Sequence, residues 1–516
     1  MSARRLGGIA ALIAGITALS RVGGFLREAV IAGVFGASAG VDSYLVAQSI
    51  PNVIIALLST AVVTSMLPAL TEDVARGERP AADRTFSTVG TVVILALVPA
   101  TVLLIIAAPA VVRLLAPGFP AEQVVLTVRL ARIVLLATLL VAATNLLTAM
   151  LHAHRRHVWP SLEGLPFNAV MIGAALVLGP VLGVEALAIG FVVGSGARLV
   201  LLVAGLRGTR VRLAPRLDWS EPGVRRAFGL LPTVLLSHTV SNVNHIVDRV
   251  VASTLRAGSI AALGFGHRLV TLPHGLLSQA LIQVLYPSLS ARIATEGAQA
   301  GARLLRRGTV MLTLVLAPIA LLLTVESATI VSVVYGRGRF GAQDVTLTAA
   351  ALAAFAPGLV FAGVRDVALR GLFAVNDRRM PVIAALAGAA ANIAGDVTLG
   401  PLLGVTGLAL ATSGSQAVSC VAALRGLARD RGGLRLRGLV RSLAPVAGAA
   451  TLAAVAMIGV GQWWPAATST VAGLVRLGAV GAAGVAVHLV TLHLLGVPEL
   501  TELRGLVSLR GRYRRP

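Results

Sequence analysis

The sequence predicts an all-α integral membrane protein of about fourteen transmembrane helices, built as two parallel six-helix lobes followed by two further helices. Three observations carry this expectation. Apolar residues make up 56% of the 516 and charged residues only 13%, and mean hydropathy is +0.88; a soluble domain carries about 25% charge. The apolar residues fall into runs long enough to cross ~30 Å of hydrocarbon. The chain also repeats itself at a fixed offset.

The runs lie near 6–35, 40–70, 85–115, 121–152, 158–182, 184–206, 223–255, 258–290, 303–335, 344–374, 380–402, 404–425, 440–462 and 467–496. Pro117-Gly118, Gly179-Pro180 and Gly400-Pro401 punctuate neighbours. The first run contains Arg21 and Arg27 and is too long for a cleaved signal peptide, so it reads as a retained helix. All 44 basic residues are Arg, and they load alternate connections: Arg4 and Arg5, Arg76 to Arg84, Arg155 and Arg156, Arg207 to Arg226, Arg292 to Arg307, Arg378 and Arg379, Arg425 to Arg441, and Arg504 to Arg515. The intervening loops are nearly bare, with Arg256, Arg337 and Arg339 their main exceptions. Positive charge on one side of an even helix count places both termini in the cytoplasm of a bacterial inner membrane. It also explains the net charge of +23 without nucleic acid as a partner. The basic tail reads equally as a headgroup-binding segment or a solvated end. The single Cys420 excludes an internal disulfide and a cysteine metal cluster.

The repeat is seen where Gly179-Pro180-Val181-Leu182-Gly183-Val184 matches Gly400-Pro401-Leu402-Leu403-Gly404-Val405. Leu126-Thr127 matches Leu347-Thr348, Pro160 matches Pro381, and Arg27 and Pro51 correspond to Arg249 and Pro273, all at an offset of about 221 or 222 residues. Each copy holds six helices, so both enter from the same side as parallel repeats. The expected divisions are 1–215 and 216–432 for the two lobes, 433–498 for helices 13 and 14, and 499–516 for a basic tail. Two such lobes with a cavity between them suit alternating access.

A charge at mid-bilayer costs about 2.5–3.5 kcal/mol on insertion scales, so intramembrane charges need a reason. Arg21, Arg27 and Glu28 fall in the first helix, with Gly23-Gly24 expected to loosen it. Asp42 and Pro51 fall in the second, Asp248 and Arg249 in the seventh, Arg268 and Pro273 in the eighth, and Arg365, Asp366 and Arg370 in the tenth. One reading is a wet cationic chamber for a phosphate-bearing headgroup, since a guanidinium gives phosphate two parallel hydrogen bonds. The other is snorkelling, or pairing with Glu28, Asp42, Asp248 and Asp366. The first suits Arg21, Arg27 and Arg268. The second weighs more on Arg249, Arg365 and Arg370, which have acidic neighbours.

Asn392 and Asp396 are four apart on one helix face. With Thr412 and Asp248 they would offer oxygen ligands to a small hard cation such as Na+; an uncoupled polar knot is the alternative. His152, His154 and His157 read as a headgroup-facing loop. No nucleophile elbow, phosphate-cradling loop or paired-Cys motif appears, so an enzyme is not expected.

Ser20-Arg21-Val22-Gly23-Gly24-Phe25-Leu26-Arg27-Glu28, Phe35-Gly36-Ala37, Asp42 and Ile50-Pro51-Asn52 resemble the N-terminal signature of the MviN/MurJ lipid II flippases, within the multidrug/oligosaccharidyl-lipid/polysaccharide exporter superfamily. Val247-Asp248-Arg249, Gly258 to Leu263, His267-Arg268-Leu269, Leu272-Pro273, Tyr335 to Phe340 and Asn392 to Asp396 are similar to its second half. The resemblance runs from about residue 6 to Pro498-Glu499. It implies a polyprenyl-diphosphate lipid as substrate, in the form of an undecaprenyl-linked peptidoglycan precursor, with helices 13 and 14 forming a groove for its tail. It further implies substrate-binding roles for Arg21, Arg27, Asp42 and Arg268, cavity positions for Arg249 and Arg365, and a Na+ site at Asp248, Asn392, Asp396 and Thr412. Cell-wall synthesis enzymes are the partners it suggests. One departure stands out: Ile54 and Ile55 occupy the place of an arginine pair common in the family. Export of another polyprenyl-linked glycan or of a metabolite, and a non-transporting cell-wall scaffold, are the rival expectations.

Overall fold

A computed structural model describes residues 3–55, 61–209, 214–429, 433–465 and 469–500; the basic tail lies outside them. The regular secondary structure of the described residues is helical. Its first half comprises α1 (Ala3–Phe35), α2 (Ala39–Ile54), α3 (Ala61–Ala75), α4 (Arg79–Leu115), α5 (Ala121–Leu135), α6 (Ala137–Ala153), α7 (Val158–Leu162), α8 (Gly164–Gly173), α9 (Gly179–Leu182) and α10 (Glu185–Gly205). Then follow α11 (Pro222–Ser253), α12 (Ser259–Pro273), α13 (Gln279–Glu296), α14 (Ala298–Val325), α15 (Ser327–Tyr335), α16 (Ala342–Ala374), α17 (Arg379–Leu403), α18 (Val405–Ala428), α19 (Leu436–Trp463) and α20 (Thr470–Leu494). Five-residue π-helical stretches join α8 to α9 and α12 to α13.

Among the described residues, the segments that hydropathy marked are helical. Among the described residues, eleven helical stretches are long and apolar enough to cross a membrane. The chain is therefore a multi-pass membrane protein. Its helices overrun the predicted ends because their polar first turns are also helical: α4 starts at Arg79, ahead of the apolar run at 85, and α19 at Leu436, ahead of 440. Ile106, Val181, Leu402 and Val471 are exposed at 69%, 82%, 77% and 70%, a pattern that fits hydrocarbon rather than water as their solvent.

The chain forms two compact units. One comprises Met1–Ala261 with Arg337–Gly341, the other Ala262–Gly336 with Ala342–Pro516. In the first, Met66, Leu70, Phe86, Val89, Val93, Leu97, Leu146, Met150 and Leu202 form a core joining α3, α4, α6 and α10, and Val224 and Ala227 of α11 add to it. Thus α11, which the repeat assigns to the second copy, packs with the first. Ion pairs fasten its start: Arg84 to Glu221 at 2.7 Å, and Arg226 to Glu72. In the second unit α16, α17 and α18 pack closely, and α19 and α20 join α14 through Val310, Leu314, Val446, Ala449 and Leu492.

The repeat is visible in the backbone. Gly183 and Gly404, 221 residues apart, both break their helices in the left-handed region, at φ +59° and +61°, and their amides close on Gly179 and Gly400 at 2.9 and 2.8 Å. The helix end that begins at residue 33 and the repeat-related helix end at 255–261 meet within the first unit. Gly258, at φ +87°, sits against the carbonyl oxygen of Ala37, the neighbour of its own counterpart Gly36, so closely that a Cβ has no room. The connecting loops do the same crosswise. The Gly118 amide donates to Ser253 Oγ at 3.3 Å, and the Arg339 amide donates to the Gly33 carbonyl at 2.8 Å.

Candidate functional site

Arg27 lies three-quarters along α1, half-buried. Its Nη2 pairs with Glu28 at 2.6 Å, its Nη1 donates to Asn168 Oδ1 of α8 at 3.3 Å, and its guanidinium lies 5.5 Å from the Phe167 ring centroid. Asn168 also donates to the Ser20 carbonyl at 3.2 Å, so one amide joins two turns of α1. Gly23 and Gly24 permit this contact, since a Cβ on Gly23 would stand 3.4 Å from Asn168 Nδ2. The expected loosening of α1 at these glycines is corrected: the helix runs unbroken through them, and the missing side chains serve packing. Arg21, six residues earlier, is exposed.

Asp42 has a different environment from a headgroup ligand. It is 2% exposed, and its two oxygens accept the amides of Gly258 at 2.6 Å and Ala261 at 2.7 Å. It therefore caps the first turn of α12 and closes the contact between the two repeat-related helix ends. Arg249, on α11, lies close enough to act electrostatically on Asp42. Losing a cap costs about 1–2 kcal/mol, so Asp42→Ala should raise amide hydrogen exchange across 256–263 about tenfold. Mass spectrometry of that peptide checks this; unchanged protection would contradict the capping role.

In the second unit Arg268 and His267 sit on exposed faces of α12, His267 edge-on to Phe355 at 5.2 Å. Arg365 is fully engaged: its guanidinium binds Asp366 at 2.8 and 3.1 Å and the Gln416 side chain, while His274 lies 3.2 Å from the other oxygen of Asp366. Arg370 lies over the Tyr286 ring at 5.7 Å. Asn392 and Asp396, 4% and 0% exposed, are joined at 2.6 Å. Gly395 packs on Ala411, so α17 and α18 touch at the sequence neighbours of Asp396 and Thr412. Thr412 donates its hydroxyl proton to the Leu408 carbonyl at 3.2 Å, leaving the oxygen's lone pairs for another partner. Carboxylate, amide and hydroxyl oxygens are the donor types a hard monovalent cation takes. Asp248 lies on α11 beside Arg249.

A family model described as lipid II flippase MurJ matches residues 31–477. The chain belongs to the MurJ lipid II flippase family. It is 28% identical over 429 residues to the lipid II flippase MurJ of Burkholderia cenocepacia, covering 81% of this chain and 83% of that one. It is 28% identical over 469 residues to a probable MurJ of Synechocystis, covering 88% and 87%. A solved structure of lipid II flippase MurJ in an inward closed conformation superposes with a TM-score of 0.79 at 21% identity, covering 94% and 98%. An inward-facing multidrug resistance MATE family transporter of the MOP superfamily reaches 0.64 at 14%, covering 84% and 100%.

Within this MurJ family member, side chains beyond the expected set shape the site. Arg198 of α10 lies over the same Phe167 ring as Arg27, at 5.2 Å. A lone arginine inside the apolar run 184–206 was its sequence signal. Glu326 and Arg476 form a bidentate pair at 2.8 and 2.9 Å, and no spacing in the sequence announced it.

Proposed function

We propose that the chain moves lipid II, the undecaprenyl-diphosphate-linked peptidoglycan precursor, from the inner to the outer leaflet of the bacterial plasma membrane by alternating access. Family membership supports the substrate, and the setting of Arg27 carries the assignment: a half-buried guanidinium, held by Asn168 and Phe167, with its Nε buried and lacking an acceptor among the described residues. Such a group favours an anionic ligand over an empty site. Arg21, Arg27 and Arg268 would take the diphosphate, first from the cytoplasmic side and then towards the other. Both termini would face the cytoplasm.

Asn392, Asp396 and Thr412 would hold Na+, which supplies a gradient as bias. The membrane potential adds about 2.3 kcal/mol per charge moved at 100 mV. Proteoliposomes holding fluorescent or radiolabelled lipid II test both statements. Translocation should depend on the protein and quicken several-fold with an inward sodium gradient. Asp396→Asn should remove the sodium effect and keep basal translocation. Equal rates with and without sodium in the unsubstituted protein would remove the ion from the cycle.

Ile54 and Ile55, standing where the family commonly has arginines, favour a second reading: transport of another polyprenyl-linked glycan. Competition between lipid II and other polyprenyl-diphosphate glycans in the same vesicles separates the two.

A further inference from the structure

Two guanidinium groups share one aromatic ring in the first unit. Arg27 of α1 stands 5.5 Å and Arg198 of α10 5.2 Å from the Phe167 centroid, so their central carbons are at most about 11 Å apart. The ring is held on two sides. Phe191 meets it edge-on at 5.6 Å and 87°, and Gly194 leaves it room, since a Cβ there would stand 3.0 Å away. Gly194 and Arg198 are four residues apart and share a helix face, which brings Arg198 to the ring. Stacking on a π face keeps a guanidinium flat and leaves its N–H edge free for an in-plane acceptor.

The Nε of each arginine is buried and has no acceptor among the described residues. Arg27 has Glu28 and Asn168 as partners for its other nitrogens. Arg198 has Glu163 as an electrostatic neighbour without a hydrogen bond between them among the described residues. Buried charged donors without acceptors are uncommon and unfavourable. Two of them about one ring point to a ligand that brings acceptor oxygens to both.

We propose that Arg198 is a further phosphate-binding arginine, and that Arg27 and Arg198, clamped on Phe167, form a subsite that offers guanidinium donors to the diphosphate oxygens. The subsite deepens the flippase reading and rests on it for the source of the diphosphate. Inorganic pyrophosphate offers the same chemistry without the lipid. Lysine at 198 keeps the charge but loses the planar fork, so it restores binding only in part.

The test uses the full chain in nanodiscs, with inorganic pyrophosphate and a polyprenyl-diphosphate lipid as separate probes. Arg198→Ala and Arg198→Gln should each weaken binding of both probes tenfold or more, as expected for charge-assisted hydrogen bonds, and Arg198→Lys should fall between. Affinities like those of the unsubstituted protein in the Ala and Gln variants overturn the subsite. A lower unfolding temperature with unchanged affinity of the folded fraction also overturns it, since that is a packing role. Pyrophosphate binding that needs Arg198, in a protein that neither binds nor moves the lipid, supports the subsite and removes the flippase reading. Lipid translocation that ignores Arg198 does the reverse.

Discussion

Arg27→Ala abolishes rescue of a flippase-depleted bacterial strain while the protein still reaches the membrane at normal abundance. Each charge-assisted hydrogen bond is worth about 1.5–3 kcal/mol, so a guanidinium giving two of them accounts for a hundredfold or more in headgroup handling. The fold should tolerate the change, because α1 keeps its contacts through Gly23, Gly24 and Asn168. Arg27→Lys keeps the charge and loses the fork that meets Asn168 and the ring together, so partial rescue is expected. Arg268→Ala should behave like Arg27→Ala, by the family resemblance of His267-Arg268-Leu269. Full rescue by both alanine variants, with immunoblots confirming membrane insertion, would remove the arginines from the transport path.

The largest effect on stability is expected at Glu326. This carboxylate, 2% exposed, sits at the break between α14 and α15 and takes both Nε and Nη2 of Arg476 from α20, at 2.9 and 2.8 Å. Arg476 in turn donates to the Trp464 carbonyl at 3.1 Å, at the end of α19. One ion pair thus ties both C-terminal helices to α14 and α15. Removing one partner of a buried pair leaves the other charge uncompensated, and breaking such pairs costs about 3–5 kcal/mol. Glu326→Ala should lower the unfolding temperature in detergent by several degrees and expose the α19–α20 turn to protease. The double variant with Arg476→Ala should recover part of the loss, because no lone charge remains. Additive losses in that cycle would refute the coupling.

The helices were legible because hydrocarbon imposes a length on apolar runs and a composition on their ends; 121–152 and 158–182 fell within a residue or two of the observed helical limits. The repeat was legible because its glycines are required by geometry, as Gly183 and Gly404 show. What the sequence left open was rotation about helix axes. Asn168 and Ser20 are 148 residues apart, and Glu326 and Arg476 are 150 apart; no local period reports which faces of such helices meet. Arg365 shows the limit from the other direction. Its acidic neighbour weighed towards pairing, and it does pair with Asp366, but the contact with Gln416, 51 residues on, had no local signal. The Gly23-Gly24 pair was read as a weak point because glycine lowers helix propensity, whereas the packing of Asn168 decided its use.

The crossed contact between the repeat-related helix ends is made mainly of peptide groups: the Gly258 backbone on the Ala37 carbonyl, the Arg339 amide on Gly33, and the Gly118 amide on a serine hydroxyl. Such peptide bonds carry no net charge for salt to screen and no proton to exchange with their surroundings; the seam's titratable member is the Asp42 carboxylate. The grip of these backbone bonds should therefore change little with ionic strength, and a response of the seam to acidity should come through Asp42.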